Sequence, residues 1–150
     1  MNRVWKPNCT VAALIEREGR FLLVEEETED GLRFNQPAGH LDPGESLVAA
    51  CTREAMEETA WCFTPTALVG IYQWPRPQSD VTYLRFAFAG ELGAHQENRA
   101  LDTGILRTVW MTPEEIRASA ERHRSPLVWQ CVSDYLAGRR FPLEIVTHYD

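Results

Sequence analysis

The stretch from Gly39 to Trp61 constrains this chain more than any other. Gly39-His40-Leu41-Asp42-Pro43-Gly44-Glu45 carries two glycines and a proline, so it is loop-like, and Ser46 is placed to cap a helix. Leu47 to Thr59 then runs without glycine or proline, as a helix requires. At about 100° per residue, Glu57 and Glu58 fall roughly 60° behind and 40° ahead of Glu54 on a helical wheel. The three carboxylates therefore share one face. Val48, Cys51, Thr52, Ala55 and Thr59 cluster on another, and their small size suits close packing against a sheet.

Three carboxylates on one face repel one another and raise one another's pKa. A hard divalent cation resolves the conflict, because Mg²⁺ or Mn²⁺ takes oxygen ligands and neutralises them. Arg53 lies one turn before Glu57 and can hold that carboxylate in a single rotamer. A merely solvated acidic face would explain three glutamates alone. It does not explain their fixed offsets from Gly39, Glu45 and Arg53.

Those offsets carry a resemblance. Gly39, five residues, Glu45, seven residues, then Arg53-Glu54-Ala55-Met56-Glu57-Glu58 resembles the signature box of the Nudix hydrolases, over residues 39 to 61. One position departs: the family has glycine where this chain has Ala60, before the bulky Trp61. That glycine ends the helix in a left-handed conformation, where alanine costs roughly 1 kcal/mol. Further stretches resemble the bacterial NudJ-like branch: Gln36-Pro37-Ala38-Gly39-His40-Leu41, Gln73-Trp74, Leu84-Arg85-Phe86, Arg124-Ser125-Pro126-Leu127-Val128 and Pro142-Leu143-Glu144.

At 150 residues the chain suits one domain with a proper core, residues 1 to 150. A formal net charge of -7 argues against nonspecific binding to nucleic-acid polymers or anionic membranes. An acidic protein still binds phosphates when a metal reverses the local sign. Cys9, Cys51, Cys62 and Cys131 have no close pairing, so free thiols are expected and no zinc or redox motif is suggested. No apolar run suits a membrane span or a signal segment, and a cytoplasmic enzyme is expected.

Thr10 to Ile15 and Arg20 to Glu25 read as a hairpin around Glu18-Gly19. Glu25-Glu26-Glu27 reads as a solvated strand end leading to a turn at Asp30-Gly31. Arg33 to Gln36 forms a short strand that Pro37 breaks, and Gln36 points either into a pocket or to solvent. Thr66 to Trp74 and Val81 to Leu92 are strands joined by a Pro-rich loop. In the second, Tyr83, Arg85 and Ala87 share a side, opposite Leu84, Phe86 and Phe88. An unpaired buried arginine is costly, so Arg85 meets either a structural carboxylate or a substrate phosphate. Trp74 either stacks on a flat ring or closes the core.

Arg107 to Met111 is a further strand. It leads to the capping box Thr112-Pro113-Glu114-Glu115, a helix to about Arg122, and a second helix from Ser125 to Gly138. Phe141 to Val146 is expected to be extended. The alternation makes an α/β protein (α+β in its mixed sheet), and the resemblance implies the same: an α/β/α sandwich.

The resemblance implies a hydrolase of phosphorus-containing anhydrides, with Gly39, Glu54, Glu57 and Glu58 on Mg²⁺ (Mn²⁺ as substitute). Glu54, Glu57, Glu58 and Arg53 would be catalytic, with a glutamate completing deprotonation of the water and Glu45 bracing the loop. Gln36, His40, Trp74, Tyr83 and Arg85 are the candidate substrate-binding residues. Implied substrates are small diphosphates: nucleoside tri- and diphosphates, hydroxymethylpyrimidine pyrophosphate and thiamine pyrophosphate. A monomer and a homodimer are both compatible. Two rivals are a Nudix pyrophosphatase cutting an internal anhydride in a nucleotide sugar or dinucleotide, and a non-catalytic nucleotide sensor. The sensor is disfavoured, since every box glutamate is kept.

Overall fold

The apolar strand Asn8–Leu14 (β1) is buried on both faces, and its alternation organises the layers. Val11, Ala13 and Ile15 join one core cluster, and Ala12 and Leu14 join the other. The structure, a computed structural model, describes residues 3–150. β1 lies inside a five-stranded sheet. It pairs antiparallel with Ala38–His40 (β5) on one side and parallel with Thr82–His95 (β7) on the other. Beyond β7 come Trp61–Pro75 (β6) and the two-residue Phe141–Pro142 (β9), giving the order β5-β1-β7-β6-β9. A second sheet centres on Arg20–Thr28 (β3). It pairs with Glu16–Arg17 (β2), with Gly31–Asn35 (β4) and with Ile105–Met111 (β8).

Helix α1 (Leu47–Thr59) covers the face of β1 that carries Val11 and Ala13. Its buried contacts, Ala50, Cys51 and Ala55, are small, and the Cys51 thiol reaches the Ala12 carbonyl at 3.6 Å. The opposite face, with Ala12, Leu14 and Ala87, receives Val128, Cys131 and Val132 of α3 (Leu127–Leu136). The expected mixed α/β/α sandwich is thus the architecture found. All four cysteines are free, and among the described residues no helix is long and apolar enough to cross a membrane.

Four local expectations are corrected. The Thr10–Ile15 hairpin exists only at its tip, where β2 and β3 meet around Glu18 (φ 53°) and Gly19 (φ 78°). A strand buried on both faces belongs inside a sheet covered by helices, so β1 stays in the five-stranded sheet and the chain crosses to the other sheet after Ile15. Glu25 and Glu26 are not a solvated strand end, since β3 continues to Thr28 and both are ion-paired. The helix after Thr112 has the expected capping box but stops as α2 (Pro113–Ala118), followed by a 3₁₀ turn at Ala120–Arg122. The C-terminal segment is extended only at β9, and Leu143–Ile145 is a 3₁₀ turn.

Helix α1 begins as its sequence implies, and its end, which Ala60 left open, is a left-handed cap. The Ser46 hydroxyl accepts from the Ala49 N–H at 3.0 Å. Ala60 is left-handed (φ 62°, ψ 17°) and donates its N–H to the Met56 carbonyl. An L-residue in that region costs about 1–2 kcal/mol. Burial of the Ala60 methyl offsets roughly 0.8 kcal/mol of it. Ala60→Gly is therefore expected to raise stability by about 0.5 kcal/mol, seen as a higher denaturation midpoint. A lower midpoint would show that the methyl's packing outweighs the backbone strain.

Candidate active site

One guanidinium holds the carboxylates of α1 together. Arg53 grips Glu45 with two parallel bonds, Nε to Oε2 at 2.7 Å and Nη2 to Oε1 at 3.0 Å. Its Nη1 donates to Glu54 at 2.8 Å and to Glu57 at 3.2 Å. Nη2 also reaches the His40 carbonyl at 3.0 Å and lies 3.4 Å from the Asp42 carboxylate. The expected pairing with Glu57 is present, but it is the longest of Arg53's bonds to glutamate. Glu45 in turn accepts from the Asp42 N–H, which ties the preceding loop to the helix.

The acidic group is larger than the helix alone supplies. Oxygens of Glu54, Glu57 and Asp102 lie within 4.8 Å of one another. Asp102 sits in the loop between β7 and β8, and its N–H donates to the Glu57 carbonyl at 3.0 Å. Sequence reasoning missed it, because a lone aspartate in a loop has no periodicity to reveal its neighbours. Glu58 turns instead to the edge strand β5, where it accepts from the Ala38 N–H at 3.0 Å.

Burial starves these groups of solvation. It pushes the Glu58 carboxyl up to about 8, against the Ala38 hydrogen bond and with help from Glu26, Glu54 and Asp102. Burial also raises Glu54, while Arg53 opposes the rise. The donor set consists of carboxylate oxygens short of positive charge, which fits a hard divalent cation. Gly39 contributes space: a Cβ there would lie 2.2 Å from the Glu54 carboxyl carbon.

A cavity of about 990 Å³ opens beside this cluster. Glu54, Glu58, Gly39 and His40 line one end, and Arg85, Tyr83 and Trp74 line another part. Tyr83 and Trp74 are cross-strand partners whose rings stack at 5.9 Å and 18°, so Trp74 is a half-buried wall and not a core plug. Gln36 does not line the cavity and is not at the surface. It is buried, donating to the Val128 carbonyl at 2.8 Å and accepting from Arg85 at 2.8 Å. Glu57 also lies off the cavity lining.

Arg124 and Ser125 line another wall, and the two glutamates first read as solvated pin their segment. Glu25 is hydrogen-bonded by Arg107 and by Arg122, which hold its carboxyl below the usual range against the opposing effect of burial. Glu26 pairs with Arg124 at 2.8 Å. The Arg122 guanidinium also lies 4.4 Å over the Phe34 ring.

This fold and carboxylate site define a class. The NUDIX domain family matches residues 6–130, and the chain belongs to it. Phosphatase NudJ of Escherichia coli (strain K12) is 39% identical over 147 residues, which span 98% of this chain and 95% of that protein. A NUDIX hydrolase structure from Nitrosomonas europaea superposes with a TM-score of 0.93 at 51% identity, covering 96% of this chain and 98% of that one. A UDP-X diphosphatase structure shares the fold, with a TM-score of 0.74 at 20% identity over 94% of this chain and 68% of that one. The chain is thus a Nudix hydrolase acting on phosphoanhydrides, similar to NudJ.

Gly39→Ala tests the geometry directly. Its Cβ would displace the Glu54 carboxylate, and a shift near 1 Å at a reacting centre costs about a hundredfold in rate. The expected outcome is a fall in kcat of that order with an almost unchanged melting temperature. Full activity would mean that Glu54 is not required where it lies.

Proposed function

We propose that this chain removes the terminal phosphoryl group from nucleoside tri- and diphosphates and from hydroxymethylpyrimidine or thiamine pyrophosphate. The cofactor is Mg²⁺, with Mn²⁺ as substitute, and orthophosphate is released. The observation that carries this reading is the near full-length similarity to a protein named as a phosphatase. The site residues give it a mechanism.

Glu54, Glu57 and Glu58 would hold the cation with Gly39, and Asp102 joins them from its loop. When bound, the cation offsets phosphate charge and makes a bound water more acidic. Arg53 fixes Glu54 and Glu57 in single rotamers, and Glu45 fixes Arg53. A glutamate of the cluster takes the proton as water attacks the terminal phosphorus. His40, which lines the same cavity, would donate to a phosphate oxygen. The Trp74–Tyr83 pair offers a flat apolar wall to an aromatic ring. Such a wall is undemanding, which suits several organic groups.

The products discriminate. With a nucleoside triphosphate and Mg²⁺, orthophosphate and the diphosphate are expected as the primary products, and none when the metal is chelated. Pyrophosphate and the monophosphate would place the chain with enzymes that cut an internal anhydride. Binding without turnover across the diphosphate panel would indicate a sensor.

A further inference from the structure

The most deeply buried arginine has no carboxylate. Arg53, Arg107, Arg122 and Arg124 are more exposed, and each is ion-paired. Arg85 in the middle of β7 is only 6% exposed. Its Nη1 donates to Gln36 Oε1 at 2.8 Å and its Nη2 to Asn35 Oδ1 at 2.9 Å, both neutral amides. The Cys131 sulfur lies 3.9 Å from Nη1, but burial raises that thiol's pKa, so it supplies no counter-charge. No buried polar side-chain atom lacks a partner among the described residues, and Arg85 lines the cavity. Its Nε, which has no protein partner among the described residues, is therefore open to solvent on the cavity side.

A buried charge with only neutral partners is expensive to keep. The cost has a use when the missing counter-charge is a ligand. The collar is also rigid: Gln36 is anchored by the Val128 carbonyl, which aims its oxygen at Arg85. Position along the cavity follows from strand register. Thr10 pairs with Arg85 on one side and with His40 on the other. Two strand spacings put Arg85 about 10 Å from His40 across the sheet. Tyr83 is two residues along β7 on the same face as Arg85, and pairs with Trp74. Arg85 therefore lies between the aromatic wall and the carboxylate end.

We propose that Arg85, held by Asn35 and Gln36, is an anion subsite for the ester-linked phosphate, the one that stays with the organic product. It binds that phosphate without a divalent cation. The choice of phosphate rests on the phosphoanhydride reading, whereas metal-free binding does not.

The test is calorimetry of adenosine monophosphate against the whole protein in a chelator, with adenosine as the control. The wild type is expected to bind the monophosphate and to bind adenosine far more weakly. Asn35→Asp places a carboxylate against Arg85 with almost no change of shape. It is expected to weaken monophosphate binding by about tenfold or more. KM for a nucleoside triphosphate should rise by a similar factor with kcat nearly constant, and the melting temperature should be unchanged or higher. Gln36→Glu provides a second variant with the same expectation. Arg85 serving only the fold would give the higher melting temperature with unchanged binding and KM, and that result overturns the proposal. Monophosphate binding only when Mg²⁺ is present overturns it too. Pyrophosphate release from the triphosphate would instead count against the proposed reaction while leaving metal-free binding intact.

Discussion

The site depends on the grip of Arg53 on its carboxylates. Glu45, Glu54 and Glu57 all bond to this one guanidinium, with Asp42 close by. Exposed ion pairs contribute little to stability because water competes and long side chains lose entropy. Here the fork to Glu45 is bidentate, and both partners are well shielded from solvent. The glutamate contacts also raise the Arg53 pKa further, with the Glu45 hydrogen bond foremost, so its charge is permanent. Even so, one positive charge cannot neutralise this many carboxylates. Burial, with lesser help from neighbouring carboxylates, raises the pKa of both Glu54 and Glu58. A hard divalent cation suits such a cluster of oxygen donors.

The scaffold brings these groups to one corner. Strand β5 is the edge of its sheet, so the Ala38 N–H is free to hold Glu58. Gly39 next to it has no side chain to block Glu54. The loop that carries Asp102 is drawn to the same corner by its backbone bond to Glu57. Meanwhile the opposite ends of the chain build the cavity's other wall, where β3 glutamates pin the segment after α2. The carboxylate cluster and the cavity walls thus come from elements distant in sequence but tied to one sheet edge.

Much of this was legible in the sequence wherever the signal was local. Ser46, the unbroken run to Thr59 and the small face of α1 are properties of consecutive residues, and the structure reproduces them except that Thr52 is exposed and Ala50 packs into the core. The Thr112 capping box is another. Long-range pairings were not legible. Glu25 and Glu26 look solvated until arginines from 82 or more positions away close on them. Asn35 and Gln36 look like ordinary strand-end amides until β7 brings Arg85 beside them. The sheet change at Ile15 depends on burial of both faces of β1, which a hairpin pattern does not encode.

If Arg53 preorganises the ligand carboxylates, its removal has two opposing consequences for the cation. Loss of a positive charge beside the cluster favours cation binding. Loss of fixed rotamers for Glu54 and Glu57 disfavours it. The decisive measurement is a Mn²⁺ titration of the wild type and Arg53→Gln, with the fold of each checked by its melting curve. Weaker Mn²⁺ binding by the folded variant is the expected result, since preorganisation outweighs charge in this account. Equal or tighter binding would contradict it and reduce Arg53 to a counter-ion.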